Sequence, residues 1–226
     1  MWRVFRKKVN QTVDWSDELF WERSPVQLHD FVVYNSIFFE DPALIVKKKS
    51  ELLQNEKLAD STFYPLFFDS NPKTLKLLDL LIAEIKPEYV VETGVANGTS
   101  TRTILSAFKN YDLKNSQLFS FDVDIRVATE EFMDNSQFSF VLVGDRNFQQ
   151  GIEQIEQIDI FYHDSDHSYE NQMLEYTLAW ERIRTGGALV SDDVNWSNAF
   201  LDFCKKVGKA PYILADTEKF CGVLYK

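Results

Sequence analysis

Cysteine is nearly absent: Cys204 and Cys221 are the two in 226 residues, and they form neither a CxxC pair nor a metal-ligand run. A disulfide scaffold, a zinc finger and a thioredoxin-like centre lose support, and a reducing cytoplasm is the expected setting. Positive charge is short as well. Lys and Arg number 24 against 35 Asp and Glu, a net charge of −11 with an isoelectric point near 4.8. Such a surface repels a phosphate backbone, which removes nucleic acid as the first choice of partner. No run of about 18 uncharged apolar residues occurs. Arg3, Arg6, Lys7 and Lys8 are followed by no apolar stretch, so neither export nor membrane spanning is signalled.

What is there suffices for one well-buried α/β domain: 26.4 kDa, 45% apolar, with about 70 residues over for a cap. The two parts read differently. Residues 1–70 hold 13 of the chain's aromatic side chains, weak periodicity and the run Lys47-Lys48-Lys49. They read as a helical cap, as an apolar lid or dimer contact, or as ordinary packing around so many Phe and Trp rings. From Asn71 the pattern turns regular. Asn71-Pro72 marks a helix start, and Leu75, Leu78, Leu81, Ile82 and Ile85 make one apolar face ending before Pro87.

Strands are expected at 89–92, 117–122, 138–143, 159–163 and 188–191, alternating with helices at 100–108, 127–133, 169–184 and 197–207. Runs such as Leu118-Phe119-Ser120-Phe121 are mostly apolar, as in a parallel sheet covered on both faces. At the end, 211–215 and 220–225 stand too close together for a parallel crossover and read as an antiparallel hairpin. The expected fold is a Rossmann-like, doubly wound, mostly parallel seven-stranded sheet over residues 71–226.

In such sheets ligands lie beyond the carboxyl ends of the strands, and those positions here are unusually acidic. The first turn is Glu92-Thr93-Gly94-Val95-Ala96-Asn97-Gly98-Thr99-Ser100. Its glycines permit close backbone approach, and the helix start offers N–H groups to an anion; a purely structural turn is the other reading. It is not GxGxxG, and no Lys follows the second Gly, which weakens a nicotinamide site and removes a Walker loop. Asp122 stands where a carboxylate can hold a ribose, while Asp124 reads equally as a helix cap. Gly144-Asp145-Arg146 could border an adenine ring, although Arg146 reads equally as half of a surface ion pair.

The densest stretch is Asp159-Ile160-Phe161-Tyr162-His163-Asp164-Ser165-Asp166-His167-Ser168-Tyr169-Glu170, which holds two of the three histidines. Ser191-Asp192-Asp193 follows the fifth strand. If strands four and five are neighbours, Asp164, Asp192 and Asp193 converge, and they would raise one another's pKa unless a cation lies between them. Oxygen ligands alone favour Mg²⁺, with Mn²⁺ or Ca²⁺ as other occupants; the alternative makes Asp192 and Asp193 helix caps. His167 is the candidate general base, or else a residue bonding its own turn. His163 reads as packed or supporting, and Tyr169 and Trp196 as packing or substrate wall.

Taken in this order, these segments and Gly186-Gly187-Ala188-Leu189-Val190-Ser191-Asp192-Asp193 resemble the class I S-adenosylmethionine-dependent methyltransferases. Among these they are most similar to the metal-dependent small-molecule O-methyltransferases of the catechol and macrolide-sugar types. The resemblance implies that Glu92, Gly94, Gly98, Thr99 and Ser100 hold the methionine part of S-adenosylmethionine, that Asp122 holds the ribose, and that Asp145, Arg146 and Asp164 complete the cofactor site. It further implies that Asp164, Asp192 and Asp193 bind the metal, with His167 where the catechol type carries a Lys base. The implied reaction is methyl transfer to a hydroxyl of a small molecule. A binding module without turnover, a methyltransferase acting on protein or RNA, and a nicotinamide dehydrogenase are the alternatives.

Overall fold

The computed structural model of the chain describes Tyr64 and residues 69–143, 148–215 and 219–226. Of the expected cap, only Tyr64, Asp69 and Ser70 fall within them, and Asp145 and Arg146 lie outside the described residues.

Helix α1, Pro72–Ile85, starts as its sequence dictates. Asn71 caps it by accepting from the Lys73 and Thr74 backbone N–H groups at 2.9 and 3.0 Å, and Pro72 fills the first turn, an arrangement worth about 1 kcal/mol. Lys86 ends it in the left-handed region. Strand β1 (Tyr89–Thr93) leads into α2 (Thr99–Asn110), and β2 (Gln117–Asp122) into a 3-10 turn (Ile125–Val127) and the short α3 (Glu130–Met133). After β3 (Phe138–Leu142) come α4 (Phe148–Ile152), β4 (Ile158–His163), α5 (Tyr169–Arg182) and β5 (Ile183–Ser191). Helix α6 (Ala199–Val207) and strands β6 (Tyr212–Ala215) and β7 (Phe220–Tyr225) complete the order.

The seven strands form one sheet in the order β3-β2-β1-β4-β5-β7-β6. The first five are parallel, whereas β7 runs antiparallel to both β5 and β6. Rows of residues in register build the two faces. Val91, Phe161 and Leu189 pair across β1, β4 and β5 and join α4, α5 and α6 in one core. Their neighbours Val90, Ile160 and Ala188 join α1 and α2 in the other. Leu77, Leu78 and Ile82 of α1 are fully buried there, each contributing roughly 1.5–3 kcal/mol. Among the described residues no helix is long and apolar enough to cross a membrane.

Three boundaries differ from expectation. The helix expected at 127–133 is split, because the Asp124 side chain caps a 3-10 turn at the Arg126 N–H and Thr129, in extended backbone, restarts the chain as α3. Helix α4 has only 5 residues, too few to display a period. Strand β5 starts five residues earlier than expected, directly after α5. It passes through Gly186 and Gly187, where the pairing with β4 shifts register and a Cβ on Gly187 would lie 2.6 Å from the Asp159 carbonyl oxygen.

Gly94 is required twice over: its φ is +84°, and a Cβ would lie 2.1 Å from the Asp164 carbonyl oxygen. Gly208, at the end of α6, has φ +68° but nothing within 4 Å. Gly208→Ala is therefore expected to cost about 1 kcal/mol, the left-handed strain alone. Gly94→Ala adds a backbone clash and should cost more than about 3 kcal/mol. Urea unfolding of both variants tests this, and equal losses would mean that the first turn yields freely.

Candidate active site

Strand order reverses between β1 and β4, where chains leave the sheet to opposite sides and open a crevice. The first turn borders it. Glu92 is fully buried and its carboxylate accepts from Ser100 Oγ at 2.5 Å, Thr101 Oγ1 at 2.7 Å and Ser120 Oγ at 2.7 Å. Burial pushes its pKa up while the three hydroxyls oppose the shift. Glu92 and Ser100 are thus joined to each other beneath the turn, tying the start of α2 to β1 and β2. Gly98 opens α2 with φ +76° and no side-chain cap, and a Cβ there would strike the Phe132 ring. Thr99 follows as the first helical residue.

Asp122 reaches across from β2. Its Oδ2 accepts from the Val95 N–H at 2.8 Å, and its Oδ1 from the Asp124 N–H at 2.9 Å. Asp124 binds Arg126, whose guanidinium holds the carboxyl down to about 2.

The acidic cluster follows from the register. Thr93, His163 and Ser191 pair side by side at the ends of β1, β4 and β5. The ladders then run one step further, Asp164 N–H to Thr93 O and Asp192 N–H to His163 O, each at 2.9 Å. Asp164 and Asp192 are therefore carried to adjacent positions. Asp164 Oδ2 accepts from Ser70 Oγ and Tyr162 OH, both at 2.9 Å, and Asp192 Oδ1 from Thr74 Oγ1 at 3.3 Å. Asp193, with φ +49°, turns its carboxylate to the same side. The cap of α6 is Asn198, so neither Asp192 nor Asp193 caps that helix.

Two nitrogen-bearing side chains face these acids. Lys219 Nζ lies 3.4 Å from Asp193 Oδ2 and 3.8 Å from Asp192 Oδ2. His167 Nε2 lies 3.6 Å from Asp193 Oδ2 and 3.8 Å from Asp164 Oδ1. The His167 ring stacks on Trp196, with centroids 6.5 Å apart, and that indole is 62% exposed. Burial, aided by His163 and Lys219, pushes the imidazole down to about 3, so it is neutral near pH 7. Burial and mutual repulsion raise the acids: Asp164 well above its usual value, Asp192 to about 7, and Asp193 upward as well, chiefly by burial. For Lys219 burial acts downward, but Asp192, Asp193 and Asp164 outweigh it and keep the ammonium charged.

Behind the cluster His163 Nδ1 lies 2.7 Å from Glu175 Oε2, which also accepts from Thr93 Oγ1 at 2.6 Å. Ser165 Oγ and Asn171 Nδ2 donate to Glu175 Oε1. Burial pushes Glu175 up, yet His163 and these donors prevail and hold it below its usual value. This network fixes the stretch that carries Asp164 and His167.

Asp164, Asp192, Asp193 and His167 thus come together as expected, while Glu92 and Ser100 serve the turn's interior. Sequence reasoning missed Lys219 and Glu175. Lys219 stands in a polar hairpin link, where a lysine reads as solvated. Glu175 did leave a signal, since Gln172, Glu175, Tyr176 and Ala179 are the buried stripe of α5. A carboxylate inside such a stripe calls for a partner.

The acids have a consequence for stability. A carboxyl whose pKa rises on folding binds more proton in the folded chain, from the unfolded value near 4 up to about 7 for Asp192. Stability in metal-free buffer should therefore fall as pH rises through that window. Thermal unfolding in chelator is expected to show a higher midpoint at pH 5.5 than at pH 8, with the difference reduced in Asp192→Asn. An unchanged difference in the variant would place the pH dependence elsewhere.

Residues 91–194 match a family model described as a methyltransferase domain. No curated protein sequence matches the chain significantly. Among solved structures, an O-methyltransferase from Bacillus cereus in complex with SAH is similar at 16% identity and a TM-score of 0.57, covering 84% of this chain and 93% of that one. The O-methyltransferase from Streptomyces achromogenes involved in tomaymycin synthesis, in complex with SAM, is similar at 13% identity and 0.58, covering 84% and 92%. An SAH-bound methyltransferase from Podospora anserina is similar at 10% identity and 0.60, covering 85% and 100%. Residues 91–194 thus resemble a methyltransferase domain, and the seven-stranded, mostly parallel sheet is the Rossmann-like fold that these solved methyltransferases share.

Proposed function

We propose that this enzyme moves the sulfonium methyl of S-adenosylmethionine to a hydroxyl oxygen of a small molecule, with Asp164, Asp192 and Asp193 holding a divalent metal, Mg²⁺ first, and His167 as base. The observation that carries the reading is the convergence of these carboxylates and one imidazole beside the crevice between β1 and β4. The O-methyltransferases from Bacillus cereus and Streptomyces achromogenes on the same fold support oxygen as the acceptor. The net charge of −11 supports a small metabolite over nucleic acid. A cytoplasmic homodimer is part of the same reading.

For the cofactor, the uncapped start of α2 at Gly98, Thr99 and the Gly94 turn suit the methionine carboxylate. Glu92 and Ser100 hold that turn in shape from below. Asp122 suits the ribose, and Asp145 and Arg146 the adenine border.

For the metal, the donor chemistry fits a hard cation: three carboxylates and no sulfur, with Asp192 Oδ2 and Asp193 Oδ1 buried and lacking a hydrogen-bond partner. Among the described residues no ready-made group of three His, Cys, Asp or Glu ligands is closed up around such an ion, so Lys219 would have to give way. A bound ion would supply charge to hold the acceptor oxygen and make its proton more acidic.

S-adenosylmethionine, when bound, would supply an electrophilic methyl group whose C–S bond electrons return to sulfur, and His167 Nε2 would take the proton of the acceptor hydroxyl. His167 Nε2 lies 3.8 and 3.6 Å from the Asp164 and Asp193 carboxylates, and the proton it takes would return to solvent. Trp196 orients His167 and offers a flat wall to the acceptor. Orientation of this kind can supply on the order of 7–11 kcal/mol of the rate gain.

Calorimetry with S-adenosylmethionine, followed by a screen of phenols and sugar hydroxyls with Mg²⁺ or chelator, tests the reading. Chelator should abolish transfer, and His167→Ala should lower kcat roughly 100-fold or more while cofactor affinity changes little. Full activity in chelator would remove the metal, and an unaltered His167→Ala rate would remove the base. Cofactor binding without transfer to any hydroxyl would favour a binding module.

A further inference from the structure

Lys219 is built into the acidic cluster by its backbone as well as its charge. It immediately precedes β7, whose first residue, Phe220, donates its N–H to Asn195 Oδ1 at 3.3 Å and accepts from the Val194 N–H at 2.9 Å. Val194 and Asn195 directly follow Asp192 and Asp193. The hairpin end that carries the ammonium and the loop that carries two of the acids are therefore joined as one unit. The Lys219 side chain is 21% exposed, and its Nζ faces Asp192 Oδ2 and Asp193 Oδ2. Those carboxylates are among the oxygens that a divalent ion would take, and two cations on the same oxygens would repel each other.

We infer that Lys219 is a tethered cation that competes with the divalent metal, so that metal enters the Asp164, Asp192 and Asp193 cluster only as the Lys219 ammonium withdraws. The inference rests on the metal reading proposed above. It makes the end of the β6–β7 hairpin responsive to metal occupancy and gives the cluster a neutralising charge whenever metal is scarce. Arg at this position would keep the competing charge, whereas Met or Gln would remove it.

The test is titration of Mn²⁺, followed by electron paramagnetic resonance of the free ion and by calorimetry, on the full chain without S-adenosylmethionine. Lys219→Met is expected to bind Mn²⁺ at least tenfold more tightly than the unaltered protein, and Lys219→Arg to bind within about threefold of it. In chelator Lys219→Met should unfold at a lower temperature than the unaltered protein, with Mn²⁺ restoring the loss. Lys219→Gln, purified with Mn²⁺ and then dialysed, repeats the measurement if the Met variant does not fold. Equal or weaker Mn²⁺ binding by both uncharged variants, with binding lost in Asp192→Asn, would overturn the competition and leave the metal site standing. Absence of Mn²⁺ binding at millimolar concentration in every protein, or binding unaffected by Asp192→Asn, would overturn both.

Discussion

Parallel strands that end in register deliver the residues following them to one place, and here those residues are acids. Asp164 and Asp192 each continue a ladder by one hydrogen bond past the paired ends of β1, β4 and β5. Their proximity is therefore a property of the sheet, which the chain cannot relax without breaking backbone bonds. Burial and repulsion raise these carboxyls, so positive charge or protons must come to them. Lys219, His167 and the hydroxyls of Ser70, Tyr162 and Thr74 are the chain's answer. They are brought from separate parts of the sequence. The hairpin after α6, the entry to α1 and the start of α5 are all arranged around the same few oxygens.

The main features of this arrangement were legible because they are periodic. Continuous apolar runs revealed strands covered on both faces, and the residues after those strands could be inspected without knowing any distance. The meeting of Asp164 with Asp192 followed once strands four and five were taken as neighbours, as the observed order has them. The terminal hairpin followed from the shortness of its link. Asn71-Pro72 gave away the start of α1 because the cap and the first-turn proline act through local geometry alone.

What was not legible depends on contacts between segments far apart in sequence. The need for a cation among the acids was clear, but its source could equally be solvent or a side chain, and nothing local marks Lys219 as the one that folds inward. Glu92 illustrates a different limit. A carboxylate before a Gly-rich turn reads as a ligand to something bound, and only the positions of Ser100, Thr101 and Ser120 reveal that its oxygens are already taken. Gly94 and Gly98 are similar, since only the folded chain shows that their missing Cβ atoms make room for Asp164 and Phe132. The broken helix near Ala128 and the five-residue α4 are too short for periodicity to register.

These contacts bear on how the site is held. Glu92 binds the first turn to β2 and α2, Asp122 binds that turn to the end of β2, and Gly94 lies against the Asp164 backbone. The first turn and the acidic cluster thus share a wall, and a movement of the turn displaces Asp164. On the far side Glu175 ties His163, Thr93 and Ser165 together behind the stretch that carries His167. Such buried networks hold a site in place, because loss of one partner strands a polar group in a dry interior. Residues such as Glu92, Gly94 and Glu175 matter through the distances they enforce: the first turn and the stretch that carries Asp164 and His167 keep their spacing only while that shared wall stays fixed.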